Sequence, residues 1–283
     1  MKRIALASFA LLLVAAVAGA FQLWRIAGAG GDPAFFESEI RAFEAGDREQ
    51  PPEPGGIVFV GSSSIRFWSS LAADFAPLAV LNRGFGGAHF EHVIHNVGRI
   101  VLPYAPRAVV VYAGDNDLAG GTGKDAARVV RDVRAFTSLV HAELPETAIY
   151  FLAIKPSRLR WDRWPEMAEA NEGIAAFAAG DPRLHYVDVA TPLLDDDGTP
   201  RSDLFWIDGL HLSAAGYAAW TRVLRPILME AYGTNGEARG GPPNASNRIA
   251  PASAPSSASR PHRRDRLRFN AWVGQVERYR IAG

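Results

Sequence analysis

The sequence predicts an α/β protein built on a parallel sheet of about five strands with helices on both faces. Three observations point to it. Short apolar, β-rich runs recur along the chain, and longer segments with helical periodicity separate them. The runs are continuous rather than alternating in polarity, as strands covered on both faces require. With 283 residues, 48% of them hydrophobic, the chain can bury one substantial core.

In order along the chain, Lys2 and Arg3 precede an uncharged run from Ile4 to Trp24, the charge pattern of an export signal. Two fates fit it. Ala18-Gly19-Ala20 offers an A-x-A-like cleavage site. The run is also close to the roughly 20 residues that span a bilayer, so an uncleaved anchor fits as well. Either fate puts the folded body outside the cytoplasm, whether periplasmic, secreted or held at the outer side of the membrane. Residues 1–31 therefore read as a signal peptide or membrane anchor plus a Gly-rich linker, Ala27 to Gly31.

The folded domain is expected over residues 32–232. It opens with a helix whose Phe36, Ile40 and Phe43 share one face, and Pro51, Pro52 and Pro54 end it. The strand candidates are Ile57 to Val60, Leu78 to Leu81, Ala108 to Tyr112, Ala148 to Leu152 and His185 to Val189. Helices are expected over Glu91 to Ile100, Asp125 to Leu144, Pro165 to Ala179 and Ala214 to Tyr232, the last kinked at Pro226. Residues 233–283 are rich in Gly, Pro, Ala, Ser, Asn and Arg, and predict a disordered basic tail.

Lys plus Arg and Asp plus Glu are equal at 30 each, which argues against a dedicated nucleic-acid binder. The charge is uneven, however: the body is acidic and the tail basic. The absence of cysteine excludes disulfides, thiolate metal sites and a thiol nucleophile. Covalent chemistry must use another residue.

Four segments could carry such chemistry, and each falls at the carboxyl edge of the inferred sheet or at the start of the last helix, where ligands bind in such folds. The first strand runs into Gly61-Ser62-Ser63-Ser64, where a hydroxyl at a helix start faces outward-pointing N–H groups. The second ends in Gly84-Phe85-Gly86-Gly87, whose glycines let backbone N–H groups approach a ligand. After the third comes Gly114-Asp115-Asn116-Asp117, where the Asn amide can donate to an oxyanion. The last is Asp208-Gly-Leu-His211, where a carboxylate three residues before a histidine can meet its ring N–H. Each has a plain alternative as a helix cap, tight turn or Asx turn. Together their order is nucleophile, oxyanion donors, then acid and base.

In these motifs the chain resembles the SGNH (GDSL-type) hydrolases over roughly residues 34–232. The family's four blocks are matched by Ser63, by Gly87, by Asn116 within Gly114-Asp-Asn-Asp117, and by Asp208 with His211. The first block departs from the family's Gly-Asp-Ser, since Ser62 stands in place of the aspartate. The resemblance implies a flavodoxin-like three-layer fold, no metal and no cofactor. It implies ester or thioester hydrolysis through an acyl-enzyme on Ser63, with His211 as base and Asp208 as its anchor. The backbone N–H groups of Ser63 and Gly87 and the Asn116 side chain would form the oxyanion hole. A glycan acetyl ester or a lysophospholipid fits such a site. An acyltransferase or a non-catalytic glycan-binding module on the same fold is the alternative.

Other patterns are weaker. Gly120-Gly-Thr-Gly123-Lys124 lacks the first glycine and the Ser/Thr of a phosphate loop, and Ile65 breaks a G-x-S-x-G elbow around Ser63. His89, His92 and His95 recur every third residue, a spacing that drifts around a helix instead of converging on a metal. After the fourth strand, Lys155 to Pro165 is longer than a simple connection needs, and its Arg160, Trp161 and Trp164 are candidates for a substrate-binding wall.

Overall fold

A computed structural model of the chain describes residues 32–233. The expected export segment and basic tail lie outside them. Among the described residues, no helix is long and apolar enough to cross a membrane.

Five parallel strands form one sheet in the order β2-β1-β3-β4-β5: β1 Ile57–Gly61, β2 Val80–Gly84, β3 Ala108–Tyr112, β4 Ala148–Leu152 and β5 Leu184–Val187. This is the flavodoxin-like order, whose switch point lies at the carboxyl end of β1 and β3. The helices are α1 Glu37–Glu49, α2 Ser63–Arg66, α3 Leu71–Phe75, α4 Phe90–Ile100, α5 Ala126–Glu143, α6 Trp164–Ala178 and α7 Ala214–Tyr232.

Alternation along the strands divides the core in two. Phe59, Val110, Tyr112, Tyr150 and Leu152 join Trp68 and Phe75 and the α7 residues Trp220, Leu224 and Leu228 in one cluster. Val58, Val60, Val109, Val111, Ile149 and Phe151 point the other way and are just as buried. That second face belongs to α4, α5 and α6, which pack side by side. Both faces are apolar, so the strands read as continuous runs.

Two strands end where the run of apolar residues does not predict. β2 begins two residues later than expected and continues through Asn82 and Arg83 to Gly84. Both polar residues are satisfied there, Asn82 Nδ2 donating to the Ile65 carbonyl at 2.7 Å and Arg83 Nε to Tyr104 Oη at 2.8 Å. β5 stops at Val187 because the Asp188 carboxylate accepts from the N–H groups of Ala190 and Thr191, both at 3.0 Å, and turns the chain. Pro226 lies inside α7, which keeps its expected span.

Gly61 closes β1 with φ +141°, and a Cβ there would meet the Tyr112 carbonyl oxygen at 1.9 Å. The Ser62 N–H donates to that same oxygen at 2.9 Å. No other residue fits. Gly61→Ala is accordingly expected to destabilise the fold by about 2 kcal/mol or more, through overpacking and backbone strain. Chemical denaturation of the purified variant measures this, and an unchanged midpoint would remove glycine as a requirement.

Candidate active site

Three serines follow β1, and burial separates them. Ser62 and Ser64 are enclosed, while Ser63 is partly open. Ser63 is the first residue of α2, so its N–H has no acceptor within the helix and is left for a ligand. Helix α2 is only four residues long and is held from outside. Asn82 takes the Ile65 carbonyl, as above, and Tyr217 Oη donates to the Ser64 carbonyl at 3.0 Å.

His211 Nε2 lies 3.1 Å from Ser63 Oγ, across 148 residues of sequence. On the other side of the ring, Nδ1 is 2.6 Å from Asp208 Oδ2. A carboxylate only accepts, so Nδ1 carries the ring hydrogen and Nε2 offers its lone pair to the serine hydroxyl. Asp208 Oδ1 accepts from the backbone N–H groups of Leu210 at 2.9 Å and His211 at 3.0 Å. Partial burial opposes charge on Asp208, but the His211 ring and these N–H groups outweigh it and hold its carboxyl below the usual range. The turn itself is clasped by Phe205 pairing with Leu212 and by the Trp206 N–H donating to the His211 carbonyl at 2.7 Å. Phe67 and Trp206 flank the imidazole, their ring centroids 5.0 and 5.8 Å from it.

The ends of β2 and β3 lie on either side of the end of β1, from which Ser63 follows. Gly87 has φ +84°, a backbone conformation that a side chain would strain. Asn116 is buried, and its Nδ2 donates to the Ala88 carbonyl at 3.0 Å, which ties the β3 loop to the β2 loop. A serine hydroxyl beside an imidazole that a carboxylate anchors is the arrangement that nucleophilic acyl transfer uses.

Arg160 was expected on a substrate wall. Its guanidinium instead turns inward, with Nη2 donating to Asn116 Oδ1 at 3.0 Å and Nη1 to the Asp115 carbonyl at 2.7 Å. Trp161 and Trp164 stack on one another, 6.1 Å apart and 11° from parallel, and both stay partly exposed. A cleft of about 500 Å³ lies between α1, α2 and β2, but its lining of Phe43, Arg66, Trp68, Asn82 and Phe85, among others, includes neither Ser63 nor His211.

Residues 55–219 match the GDSL-like lipase/acylhydrolase family. The chain belongs to that family and is an ester hydrolase. It is 30% identical over 210 residues to platelet-activating factor acetylhydrolase IB subunit alpha1 of Bos taurus, covering 71% of this chain and 85% of that one. A solved structure from Streptococcus pneumonia superposes with a TM-score of 0.62 at 21% identity, over 76% of this chain and 99% of that one. A GDSL-like lipase from Bacteroides thetaiotaomicron gives 0.60 at 17% identity, over 68% and 98%.

The three periodic histidines diverge. His95 is exposed, and His92 Nδ1 accepts the His89 backbone N–H at 2.9 Å. The His89 ring is buried, 3.2 Å from Lys124 Nζ and 3.8 Å from Asp117 Oδ1. Among the described residues, no cluster of His, Asp and Glu could hold a metal ion. Burial, with the charges of Lys124 and His92, holds the His89 pKa down at about 3. The unfolded chain protonates this ring near pH 6.5, so it binds a proton there that the folded chain refuses. Stability from this residue is complete above about pH 6.5 and is lost as the pH falls toward 3. Melting temperatures measured from about pH 8 down to 4 should drop below about 6.5. His89→Gln should flatten that slope even if it lowers the neutral-pH value, and an identical slope in the variant would exclude His89 as the cause.

Proposed function

We propose that this ester hydrolase works through an acyl-enzyme on Ser63. His211 Nε2 takes the Ser63 proton as Oγ bonds to the ester carbon, and Asp208 holds the ring tautomer and stabilises the imidazolium. The carbonyl oxygen becomes an oxyanion held by the N–H groups of Ser63 and Gly87 and by Asn116 Nδ2, each donor worth on the order of 3 kcal/mol. The intermediate collapses by breaking the bond to the alcohol oxygen, which receives the proton from His211. Water then repeats the sequence on the acyl-enzyme, releasing the acid and restoring Ser63. The observation that carries this reading is the unbroken chain from Ser63 Oγ through His211 to Asp208, at 3.1 and 2.6 Å.

For the substrate, we propose a short-acyl ester of an alcohol with an apolar chain. Leu159, Trp206 and Ile207 are exposed by 58, 45 and 104%, which is unusual for such side chains. All three adjoin the Asp208–His211 turn: the Leu159 N–H donates to the Gly209 carbonyl at 3.0 Å, and Trp206 and Ile207 immediately precede Asp208. An apolar rim beside the base suits an alkyl leaving group. The acetyl specificity named for the Bos taurus relative supports a small acyl group here. Trp161 and Trp164 offer a second wall. The charge pattern of residues 1–24 supports action outside the cytoplasm, with the membrane as the nearest source of such esters.

A fluorophosphonate should label Ser63, read by peptide mass spectrometry; an adduct on Ser62 or Ser64 with Ser63 unmodified would overturn the assignment. Ser63→Ala and His211→Ala should each lower kcat by about 10⁴ or more, and the double variant should lose little further, since the two act as one unit. Losses that multiply would separate them. Ile207→Ser with Trp206→Ala should reduce kcat/KM for long-chain alkyl acetates by about tenfold relative to methyl acetate, as expected from losing apolar contact. Equal losses on both esters would exclude the rim from recognition of the alcohol.

A further inference from the structure

The loop after β4, which belongs to none of the four family blocks, sends an arginine side chain against the third of them. Arg160 is 9% exposed, although arginine is rarely so enclosed without a partner of opposite charge. Its fork spans two neighbouring residues. Nη1 donates to the Asp115 carbonyl at 2.7 Å and lies 3.5 Å from the Asp115 carboxylate, while Nη2 donates to Asn116 Oδ1 at 3.0 Å. Lys155 Nζ, also buried, donates to the same carboxylate at 3.1 Å. The loop is anchored at both sides: the Arg160 N–H donates to Ser157 Oγ at 3.3 Å, and the Leu159 N–H to Gly209 in the turn that carries His211.

We propose that Arg160 is the positioning residue of the oxyanion donor, fixing the Asn116 amide so that its N–H, and not its carbonyl oxygen, faces the reacting ester. This deepens the acyl-enzyme reading above and rests on it.

An asparagine amide is nearly symmetric in shape, so only its partners decide which end is which. Here both ends are specified. Oδ1 meets the guanidinium, a pure donor, and Nδ2 meets the Ala88 carbonyl, a pure acceptor. Rotation by half a turn would set oxygen against oxygen at Ala88 and N–H against N–H at Arg160. One Nδ2 hydrogen is used on Ala88, which leaves the second for the oxyanion.

The arginine also strengthens what it positions. A charge-assisted bond at Oδ1 draws electron density from the amide and makes its remaining N–H a better donor, by the cooperativity expected in a low-dielectric interior. A lysine could not reproduce this. Its point charge can satisfy the Asp115 carbonyl or Asn116 Oδ1, whereas the planar fork reaches both.

The experiment uses the full chain and a soluble ester, p-nitrophenyl acetate, with variants Arg160→Lys, Arg160→Ala, Asn116→Ala and the double variant Arg160→Lys/Asn116→Ala. Thermal melts accompany each kinetic measurement. Arg160→Lys should lower kcat by about 10- to 100-fold with KM changed by less than about twofold, a smaller loss than the roughly 10²- to 10³-fold expected for removing the donor itself in Asn116→Ala. In the double variant kcat should lie within about threefold of Asn116→Ala, because Arg160 has nothing to position once the amide is gone. Arg160→Lys keeps a cation against Asp115, so it carries the test if Arg160→Ala fails to fold. Multiplying losses, a wild-type kcat in Arg160→Lys, or loss of its melting transition would each overturn the proposal and leave Arg160 as packing. If the wild-type chain neither turns over the ester nor takes a fluorophosphonate on Ser63, the acyl-enzyme reading falls and this proposal with it. Turnover by the wild type with multiplying losses sinks this proposal alone.

Discussion

The contact between Gly61 and the Tyr112 carbonyl oxygen is the constraint on which the site rests. It lets β1 and β3 end side by side, and it starts α2 at Ser63 instead of letting the strand continue. A helix of four residues has no stability of its own, because its nucleation is never repaid by propagation. What holds it is borrowed: a hydrogen bond from the β2 side chain Asn82, another from Tyr217 on α7, and the Ser62 N–H on Tyr112. Gly84 adds room, since a Cβ there would meet the Arg66 nitrogen at 2.2 Å. The serine's orientation is thus a property of three separate elements meeting, and the sequence of the helix alone would not produce it.

Legibility followed the range of the interactions. β1 and β3 are buried on both faces throughout, and β4 from Ile149 on, so their apolar runs mark them without help. β2 is an edge strand whose Asn82 and Arg83 are satisfied by Ile65, Tyr104 and Asp47, partners distant in the chain. Those polar residues look like a loop until the partners are known. Helix α3, five residues long, has too little periodicity to read. The four candidate site segments were readable because each is a short motif with local geometric meaning, as in the Asp208 carboxylate reaching a histidine three residues on. Arg160 was readable as an unusual residue but not as a neighbour of Asn116, which lies 44 residues away. Its direction depends on how the loop after β4 folds, and no local pattern encodes that.

Charge in the interior is arranged in matched groups. Burial works against ionising Asp115, yet Lys155 and Arg160 beside it hold its pKa at about 2. The carboxylate therefore remains an acceptor between two donors throughout the ordinary pH range. His89 shows the opposite arrangement, since burial and a nearby ammonium both oppose its protonation and keep it neutral. One network keeps a charge that burial would remove, while the other prevents one from forming.

The clasp between Phe205 and Leu212 gives Asp208 and His211 a common chassis. Asp208 and His211 are bound to each other by the side-chain contact and by two backbone N–H groups, all within four residues, and the Trp206 N–H seals the turn. The pair is therefore a self-contained cassette whose internal geometry survives displacement of its surroundings. Sequence drift in the flanking loops, or a graft of this turn onto a related scaffold, would leave the cassette whole and alter only its reach to the serine. What such changes would alter is the 3.1 Å gap between imidazole and hydroxyl.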